Sequence, residues 1–196
     1  MKSIAIVNKH ASLVAGEKNK SMYKIQNIGL ESASILSQLW KDTFVQAYSD
    51  VHTPANIAVY CARNFSLDSA VSELKLKNVT CKVACTEAQA VGFYLLRENN
   101  CPISLEGPST ELKQIYILKN HYKKGLGKLL YDDAIHTMYQ NGARYVWLSV
   151  SDINYRAQNF YKELEFTAVG PGPVFKVGYD RLTSTIMTKK LHTHAV

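Results

Sequence analysis

One segment, residues 115–130, joins an apolar run that predicts a strand to a basic turn and then to a stretch with helical spacing. The first N–H groups of such a helix have no partner within it, and the helix dipole adds about half a positive charge there. Gly125 and Gly127 let a ligand approach the backbone closely. Three lysines add full positive charges: Lys123, Lys124 and Lys128. The segment therefore predicts a strand–turn–helix unit that binds a phosphate or pyrophosphate group.

Length and composition indicate an ordinary globular protein. A chain of 196 residues is long enough to bury roughly 70% of its unfolded surface in one domain. The fractions of hydrophobic residues (46%) and charged residues (20%) are typical of a globular domain. Regular patterning starts only after Met22. We therefore expect an N-terminal extension of uncertain role over residues 1–21 and a single domain over residues 22–196.

The net charge of +7 suggests an anionic partner, but the charges form no block along the chain. No zinc-finger, homeodomain or RNA-binding motif is present, so a nucleotide-like cofactor explains the charge better than nucleic acid does. The four cysteines include no C-x-x-C pair, and no apolar run reaches the ~20 residues of a membrane span. We expect a cytoplasmic protein without a membrane partner.

The apolar spacing along the chain predicts a sheet with helices on both of its faces. Helices are predicted over residues 31–48, 53–61, 66–74, 126–141 and 154–164. Strands are predicted over residues 23–26, 79–85, 91–96, 110–118, 145–150, 166–169 and 184–191, with a stiff Gly-Pro-Gly-Pro loop at 170–173. Residues 145–150 are apolar on both faces, as in a central strand. The order of elements predicts one mixed sheet in an α/β or α+β architecture.

A second motif follows the glycine turn by about thirty residues, in the form N-x-x-A-x-x-F-Y at Asn154, Ala157, Phe160 and Tyr161. With the preceding strand and turn, it resembles the GNAT superfamily of acetyl-CoA-dependent N-acetyltransferases over roughly residues 23–191. The resemblance implies a mixed, mostly antiparallel central sheet. The ending over residues 175–189 is similar to one branch in particular, the bacterial polyamine (spermidine/spermine) acetyltransferases.

The resemblance implies acetyl-CoA as co-substrate and no metal. The backbone of Ile115, Tyr116 and Ile117 would pair with the pantetheine arm where two strands part, and Asn154 would bond the pantetheine amide. The pyrophosphate would be received by Lys123, Lys124, Gly125, Leu126, Gly127 and Lys128. Arg156 and Lys162 either reach the 3′-phosphate or are ordinary solvated charges of a helix.

The resemblance also assigns catalytic roles. Tyr161 would donate a proton to the coenzyme A sulfur, although periodicity alone would make it a core aromatic residue. A phenol of pKa about 10 protonates a thiolate whose conjugate acid has a pKa near 8.5 only when the two are close together. Glu111 lies on the strand before the turn, where some members of the superfamily carry a general base. It is equally consistent with a solvated residue at the start of a strand.

The acceptor would lie against the first two helices and their connection, with Trp40, Phe44, Tyr48 and Asp50 as candidate contacts. Trp40 and Phe44 also suit a plain helix core. We expect direct acetyl transfer to a primary amine of a small molecule such as a polyamine. A polyamine would require an acidic pocket formed by Asp42, Asp50, Glu73 and Glu87.

Two alternatives remain open. One is a protein N-terminal or lysine acetyltransferase, and the other is a non-catalytic module that binds coenzyme A or another anion. The second is favoured by two departures from the family pattern, because Tyr122 replaces the usual Gln or Arg and Lys123 replaces a common glycine. Since backbone N–H groups hold most of the pyrophosphate, these changes affect cofactor affinity more than cofactor identity. A homodimer is one option for the assembly.

Overall fold

The structure is a computed structural model and describes residues 22–191. The predicted N-terminal extension, residues 1–21, lies outside the described residues, so its role stays a prediction. Within the described range, no helix is both long enough and apolar enough to cross a membrane.

The helices and strands follow the predicted order. Within residues 22–191 the helices are α1 (Ala33–Tyr48), α2 (Pro54–Asn64), α3 (Leu67–Leu74), α4 (Leu126–Gln140) and α5 (Tyr155–Glu163). The strands are β1 (Lys24–Asn27), β2 (Val79–Cys85), β3 (Ala90–Arg97), β4 (Ser109–Ile117), β5 (Tyr145–Ser151), β6 (Thr167–Pro171), β7 (Phe175–Val177), β8 (Asp180–Leu182) and β9 (Ser184–Lys190). Short 3₁₀ turns at Leu30–Ser32 and Lys119–His121 precede α1 and the glycine turn.

Seven strands form one twisted sheet in the order β1-β2-β3-β4-β5-β9-β6. The β4–β5 pair is parallel, and the other pairs in this sheet are antiparallel. Strands β7 and β8 form a separate antiparallel hairpin. The predicted mixed, mostly antiparallel sheet is confirmed, and β5 is a central strand as its apolar sequence indicated.

Two hydrophobic cores cover the two faces of the sheet, because successive side chains of a strand point to opposite faces. Phe93 and Leu95 of β3 pack in the core that contains buried residues of α1 and α2. Tyr94 and Leu96 of the same strand pack in the core that contains α4 and Tyr161 of α5. The helices thus lie on both faces, as predicted, and the middle of the sheet separates two chemically distinct sides.

Side-chain caps fix where several helices begin. The hydroxyl of Thr53 accepts the N–H of Asn56 at 3.2 Å at the start of α2, and Pro54 occupies the first turn. Asn154 caps α5, because its side-chain oxygen accepts the N–H of Ala157 at 3.1 Å.

Two features near the end of the chain differ from expectation. Gly170 and Pro171 were predicted as loop but complete β6, where Pro171 pairs with Thr185 of β9. Proline is tolerated there because β6 is an edge strand. The β7–β8 hairpin was not predicted, because each of its strands has three residues, too few to show a period of two.

Candidate active site

Strands β4 and β5 part in the middle of the sheet. They pair only through Ser109–Tyr145, Thr110–Val146 and Glu111–Trp147. Beyond this point β4 stays paired with β3, and β5 stays paired with β9. The β4 backbone groups that face the resulting gap, including those of residues 115–117, therefore have no strand partner. An extended ligand with amide groups can complete these hydrogen bonds.

The glycine turn stands beside this gap and leads into α4. Gly125 is the N-cap residue, with φ 79°, and no side chain caps the helix. The N–H groups of the first turn, at Leu126, Gly127 and Lys128, are thus left for a ligand. A Cβ added to Gly127 would lie 3.4 Å from the Ile117 side chain. This uncapped helix start is a suitable place for an anionic group.

The lysines of the turn are not equivalent. The ammonium of Lys128 lies 2.5 and 2.7 Å from the two carboxylate oxygens of Asp132, which compensates its charge. Lys123 and Lys124 are exposed. Lys123 has φ 59°, so the residue that replaces a common glycine keeps a left-handed backbone conformation. For a residue with a Cβ this conformation costs about 1 kcal/mol.

A β-bulge in β4 changes which side chains face α1 and α3. Partners of Leu95 and Leu96 in β3 are Gln114 and Leu112, so Lys113 is an extra residue in β4. Lys113 and Gln114 consequently both point to the α1/α3 side of the sheet. There the Lys113 ammonium lies 2.8 Å from the Glu73 carboxylate, and the Gln114 side-chain oxygen accepts the indole N–H of Trp40 at 2.6 Å. Sequence periodicity did not reveal this bulge.

Glu111 lies where β4 and β5 separate, since its partner Trp147 forms the last pair between them. Its carboxylate accepts a hydrogen bond of 3.1 Å from the side-chain amide of Asn99. Burial raises the pKa of Glu111 above its ordinary value, and the Asn99 bond and the charges of Lys113 and Arg97 only partly oppose this. The carboxyl group is thus a stronger base than a solvated glutamate. Sequence reasoning did not identify Asn99 as its partner.

Tyr161 of α5 is buried near two other tyrosines, Tyr48 of α1 and Tyr116 of β4. Burial is the largest cause that raises the pKa of Tyr161, and Tyr48 and Tyr131 add to it. Burial also raises the pKa of Tyr116 well above its usual value, and the neighbouring Tyr48 adds to this. The hydroxyls of Tyr161 and Tyr116 are therefore protonated at neutral pH and can act as hydrogen-bond donors.

Asn154 connects this cluster to the start of α5. Its oxygen caps the helix, while its amide nitrogen donates a long hydrogen bond of 3.4 Å to the Tyr48 hydroxyl. The structure thus brings together Tyr48, Tyr116 and Asn154, which the sequence assigned separately to acceptor and cofactor binding. The amide nitrogen of Asn154 is held weakly enough to exchange partners with a ligand.

The other predicted acceptor residues have different surroundings. Trp40 is buried and bonds Gln114, as described above. Phe44 is 4% exposed and packs with Tyr48, Tyr60 and Phe65, which places it in the helix core. Asp50 is exposed in the turn after α1. Of the four, Tyr48 contacts the residues that line the gap most directly.

A polar contact that the sequence did not indicate joins the α1–α2 connection to the β7–β8 hairpin. Nδ1 of His52 lies 2.7 Å from the Asp180 carboxylate, and the Asn56 side-chain amide donates to the same oxygen at 3.0 Å. The His52 side chain is 2% exposed, and its ring centre lies 5.9 Å from that of Tyr48. These bonds, together called the hairpin latch, fix the hairpin beside the tyrosine cluster. No local pattern could reveal them, since His52 and Asp180 are 128 residues apart.

Within residues 22–191, no group of three or more His, Cys, Asp or Glu side chains is arranged to hold a metal ion.

Comparison with known proteins gives a consistent result. Residues 36–166 match the model of the acetyltransferase (GNAT) family. The chain is 24% identical over 152 residues to an uncharacterized N-acetyltransferase of Lactobacillus delbrueckii subsp. lactis, covering 77% of this chain and 87% of that protein. It is 25% identical over 162 residues to an uncharacterized N-acetyltransferase of Mycobacterium bovis, covering 83% and 99% of the two chains.

Solved structures share the fold. The PaiA N-acetyltransferase of Thermoplasma acidophilum, in complex with coenzyme A, superposes with a TM-score of 0.71 at 18% identity, covering 86% of this chain and 99% of that one. The YncA protein of Salmonella typhimurium, solved with its cofactor acetyl-CoA, superposes with a TM-score of 0.59 at 18% identity, covering 89% and 97%.

Proposed function

Because the chain belongs to the acetyltransferase (GNAT) family, we propose that it transfers the acetyl group of acetyl-CoA directly to a primary amine of a small molecule. Both substrates would be bound together, so the reaction gains from holding the reacting atoms in place. The observation that carries the proposal is the partly buried carboxylate of Glu111 at the point where β4 and β5 part.

The gap and the turn fit the cofactor. Acetyl-CoA supplies the acetyl group as an activated thioester. The amide groups of its pantetheine arm could pair with the unpaired β4 edge at residues 115–117. The uncapped start of α4 suits the pyrophosphate, because its N–H groups and helix dipole favour an anion. With the pyrophosphate at this turn, the arm would run along β4 toward Glu111.

Glu111 is the proposed general base. An alkylammonium with a pKa near 10 is not a nucleophile, so one proton must leave the amine before attack. Burial shifts the pKa of Glu111 toward the operating pH. A general base is most efficient when its pKa lies near that pH. The ammonium gives this first proton to the carboxylate, and the neutral amine then attacks the thioester carbonyl. The N–C bond forms and the C–S bond breaks, and the second proton that the nitrogen loses balances the charge of the departing thiolate.

Tyr161 is proposed to assist the departing thiolate. Its raised pKa keeps the hydroxyl protonated, so it can always donate a hydrogen bond to the sulfur. Complete proton transfer is harder for this phenol than for a solvated one, because its conjugate base is disfavoured by burial. Stabilisation of the thiolate by the hydrogen bond is therefore the main contribution we assign to Tyr161.

The acceptor side favours a compact substrate. The hairpin latch holds β7 and β8 against the α1–α2 connection, next to Tyr48. An extended peptide would need an open groove across this side of the sheet. The latch therefore favours a small amine over a protein N-terminus or lysine, which remains the alternative within the same enzyme class.

The four acidic residues required for a polyamine do not converge. Glu73 already lies 2.6 Å from Arg97 and 2.8 Å from Lys113. Arg97 ends β3, whereas Glu87 precedes the other end of this eight-residue strand, about 24 Å away at 3.4 Å per residue. Near Glu111, the positive charges of Arg97 and Lys113 offset the negative charges of Glu111 and Glu73, which favours an acceptor with one ammonium group. Spermidine represents the polyamines in the experiment below.

The deciding experiment measures free thiol release from acetyl-CoA with spermidine, simple monoamines, amino acids and short peptides, and identifies each acetylated product by mass. We expect release with at least one small amine, and monoamines to exceed spermidine in kcat/KM. A preference for peptides would favour the protein acetyltransferase. Binding of coenzyme A without thiol release for any amine would favour the non-catalytic module, to which the departures at Tyr122 and Lys123 also point.

A further inference from the structure

The side chains of Tyr122 and Arg156 stack beside the glycine turn. Arg156 lies in the first turn of α5, and its guanidinium carbon is 3.6 Å from the centre of the Tyr122 ring. Tyr122 directly precedes Lys123 of the turn, which follows β4, whereas α5 follows β5. The stack therefore joins the segments that follow the two separated strands and lies next to the uncapped start of α4.

The guanidinium of Arg156 is oriented but not used by the protein. A guanidinium stacked on an aromatic ring keeps the N–H groups at its edge available, in a planar fork that matches phosphate oxygens. Arg156 is exposed, and none of the salt bridges within residues 22–191 involves it. The stacked ring thus holds a cation whose donors remain open.

Other cations near the turn are less suited to this role. The charge of Lys128 is compensated by Asp132. Lys123 and Lys124 are exposed. Each carries its ammonium group at the end of a flexible side chain and offers a point charge rather than a planar fork. Arg156 is therefore the cation near the turn that the surrounding residues orient most closely.

We propose that Arg156, positioned by Tyr122, binds a phosphate group of coenzyme A. The pair takes the place of the Gln or Arg side chain that the family pattern has at position 122. The cation is thus supplied from α5 instead of from the turn. This inference rests on the cofactor part of the proposed function and does not depend on the identity of the amine.

The test measures the dissociation constant of coenzyme A by isothermal titration calorimetry, with no acceptor present. We expect Arg156→Ala to raise Kd about tenfold, the effect of one exposed charge-assisted hydrogen bond. Arg63→Ala is the matched control, because it removes an exposed arginine from α2 and should leave Kd unchanged. Equal Kd values for wild type and Arg156→Ala would overturn the inference alone. Absence of coenzyme A binding by the wild type would overturn the proposed function as well.

Variants of Tyr122 test its positioning role. Tyr122→Phe keeps the ring and should leave Kd within about twofold, whereas Tyr122→Ala should raise it several-fold. The double variant Tyr122→Ala/Arg156→Ala should bind no more weakly than Arg156→Ala, because the ring acts through the arginine. Additive losses in the double variant would refute this role.

Dephospho-coenzyme A, which lacks the 3′-phosphate, identifies the phosphate that Arg156 contacts. If the loss caused by Arg156→Ala persists with this ligand, the arginine binds the pyrophosphate. If the loss disappears, it binds the 3′-phosphate. If Arg63→Ala weakens the binding of both ligands as much as Arg156→Ala does, the loss of affinity comes from the change in net charge. This result would overturn the inference.

Discussion

The two halves of the gap between β4 and β5 are constructed differently. The half proposed for the cofactor, called the cofactor half, is built mainly on residues 115–128, one continuous stretch that comprises the end of β4, the turn and the first turn of α4, with Asn154 and Tyr161 beside it. The half proposed for the acceptor, called the acceptor half, comprises the α1–α2 connection and the β7–β8 hairpin, joined by His52 and Asp180 from distant parts of the chain. One half depends mainly on backbone geometry, and the other depends on contacts between particular side chains.

This difference explains why the two halves respond unequally to substitution. Backbone N–H groups at the start of α4 are present whatever the side chains, so a turn that departs from the family pattern at Tyr122 and Lys123 keeps the shape of an anion site. The hairpin latch, by contrast, depends on the side chains of His52, Asn56 and Asp180. The acceptor half can therefore change its preference without disturbing the cofactor half.

The largest expected effect comes from Glu111, where the two halves meet. Glu111→Gln should lower kcat about 10³-fold, within the range for loss of a general base, and leave the Kd of coenzyme A unchanged. In the wild type, activity should increase as the pH rises through the pKa of Glu111, which burial places above the ordinary value of about 4.3. The variant should lack this limb of the pH profile. Glu163→Gln, an exposed residue of α5, is the control, and a pH profile unchanged in Glu111→Gln would exclude the role of base.

Tyr161→Phe should lower kcat about 10²-fold, because the thiolate loses a hydrogen-bond donor, with little change in coenzyme A binding. Comparison of kcat with the calorimetric Kd separates catalysis from binding. An equal loss of turnover and binding would make Tyr161 a structural residue of the cofactor half. The sequence motif would then identify the fold without identifying the chemistry.

The hairpin latch tests whether the halves are separable. His52→Ala and Asp180→Asn should each raise the KM for the amine about fivefold and leave the Kd of coenzyme A unchanged, since the loss of one hydrogen bond is worth about 1 kcal/mol. Bonds from His52 and Asn56 lower the pKa of Asp180, so its carboxylate is charged at neutral pH and the contact is lost only when the pH falls through that lowered value. His136→Ala, on the exposed side of α4, is the control. Parallel changes in KM and Kd would show that the halves are coupled.

The smallest effect concerns the backbone of the turn. Lys123→Gly should raise the free energy of unfolding by about 1 kcal/mol, because it relieves the left-handed conformation at this position. Lys123→Ala removes the same charge but keeps the Cβ, so it should bring no comparable gain. Chemical denaturation measures both, and equal stability of the two variants would show that φ 59° carries no strain.

The sequence by itself determined the elements whose information is local. Periodicity and capping residues such as Thr53 and Asn154 were sufficient to predict the helices, because apolar residues recur every three or four positions along the buried face of a helix. The turn at Gly125 was recognisable because the anion site proposed for it consists of adjacent residues. The prediction of a loop at Gly170 and Pro171 was wrong, because only the tertiary structure places these residues on an edge strand.

Tertiary structure decided how distant residues meet around the gap. The bulge at Lys113, the Asn99–Glu111 bond and the hairpin latch join segments whose spacing along the chain carries no periodic signal. The Tyr122–Arg156 stack likewise pairs a half-buried side chain with an exposed one from a different motif. Local backbone conformation depends on neighbouring residues, whereas contacts across a sheet depend on register and on which strands lie side by side. The glycine turn was accordingly visible in the sequence, whereas the hairpin latch appeared only in the folded chain.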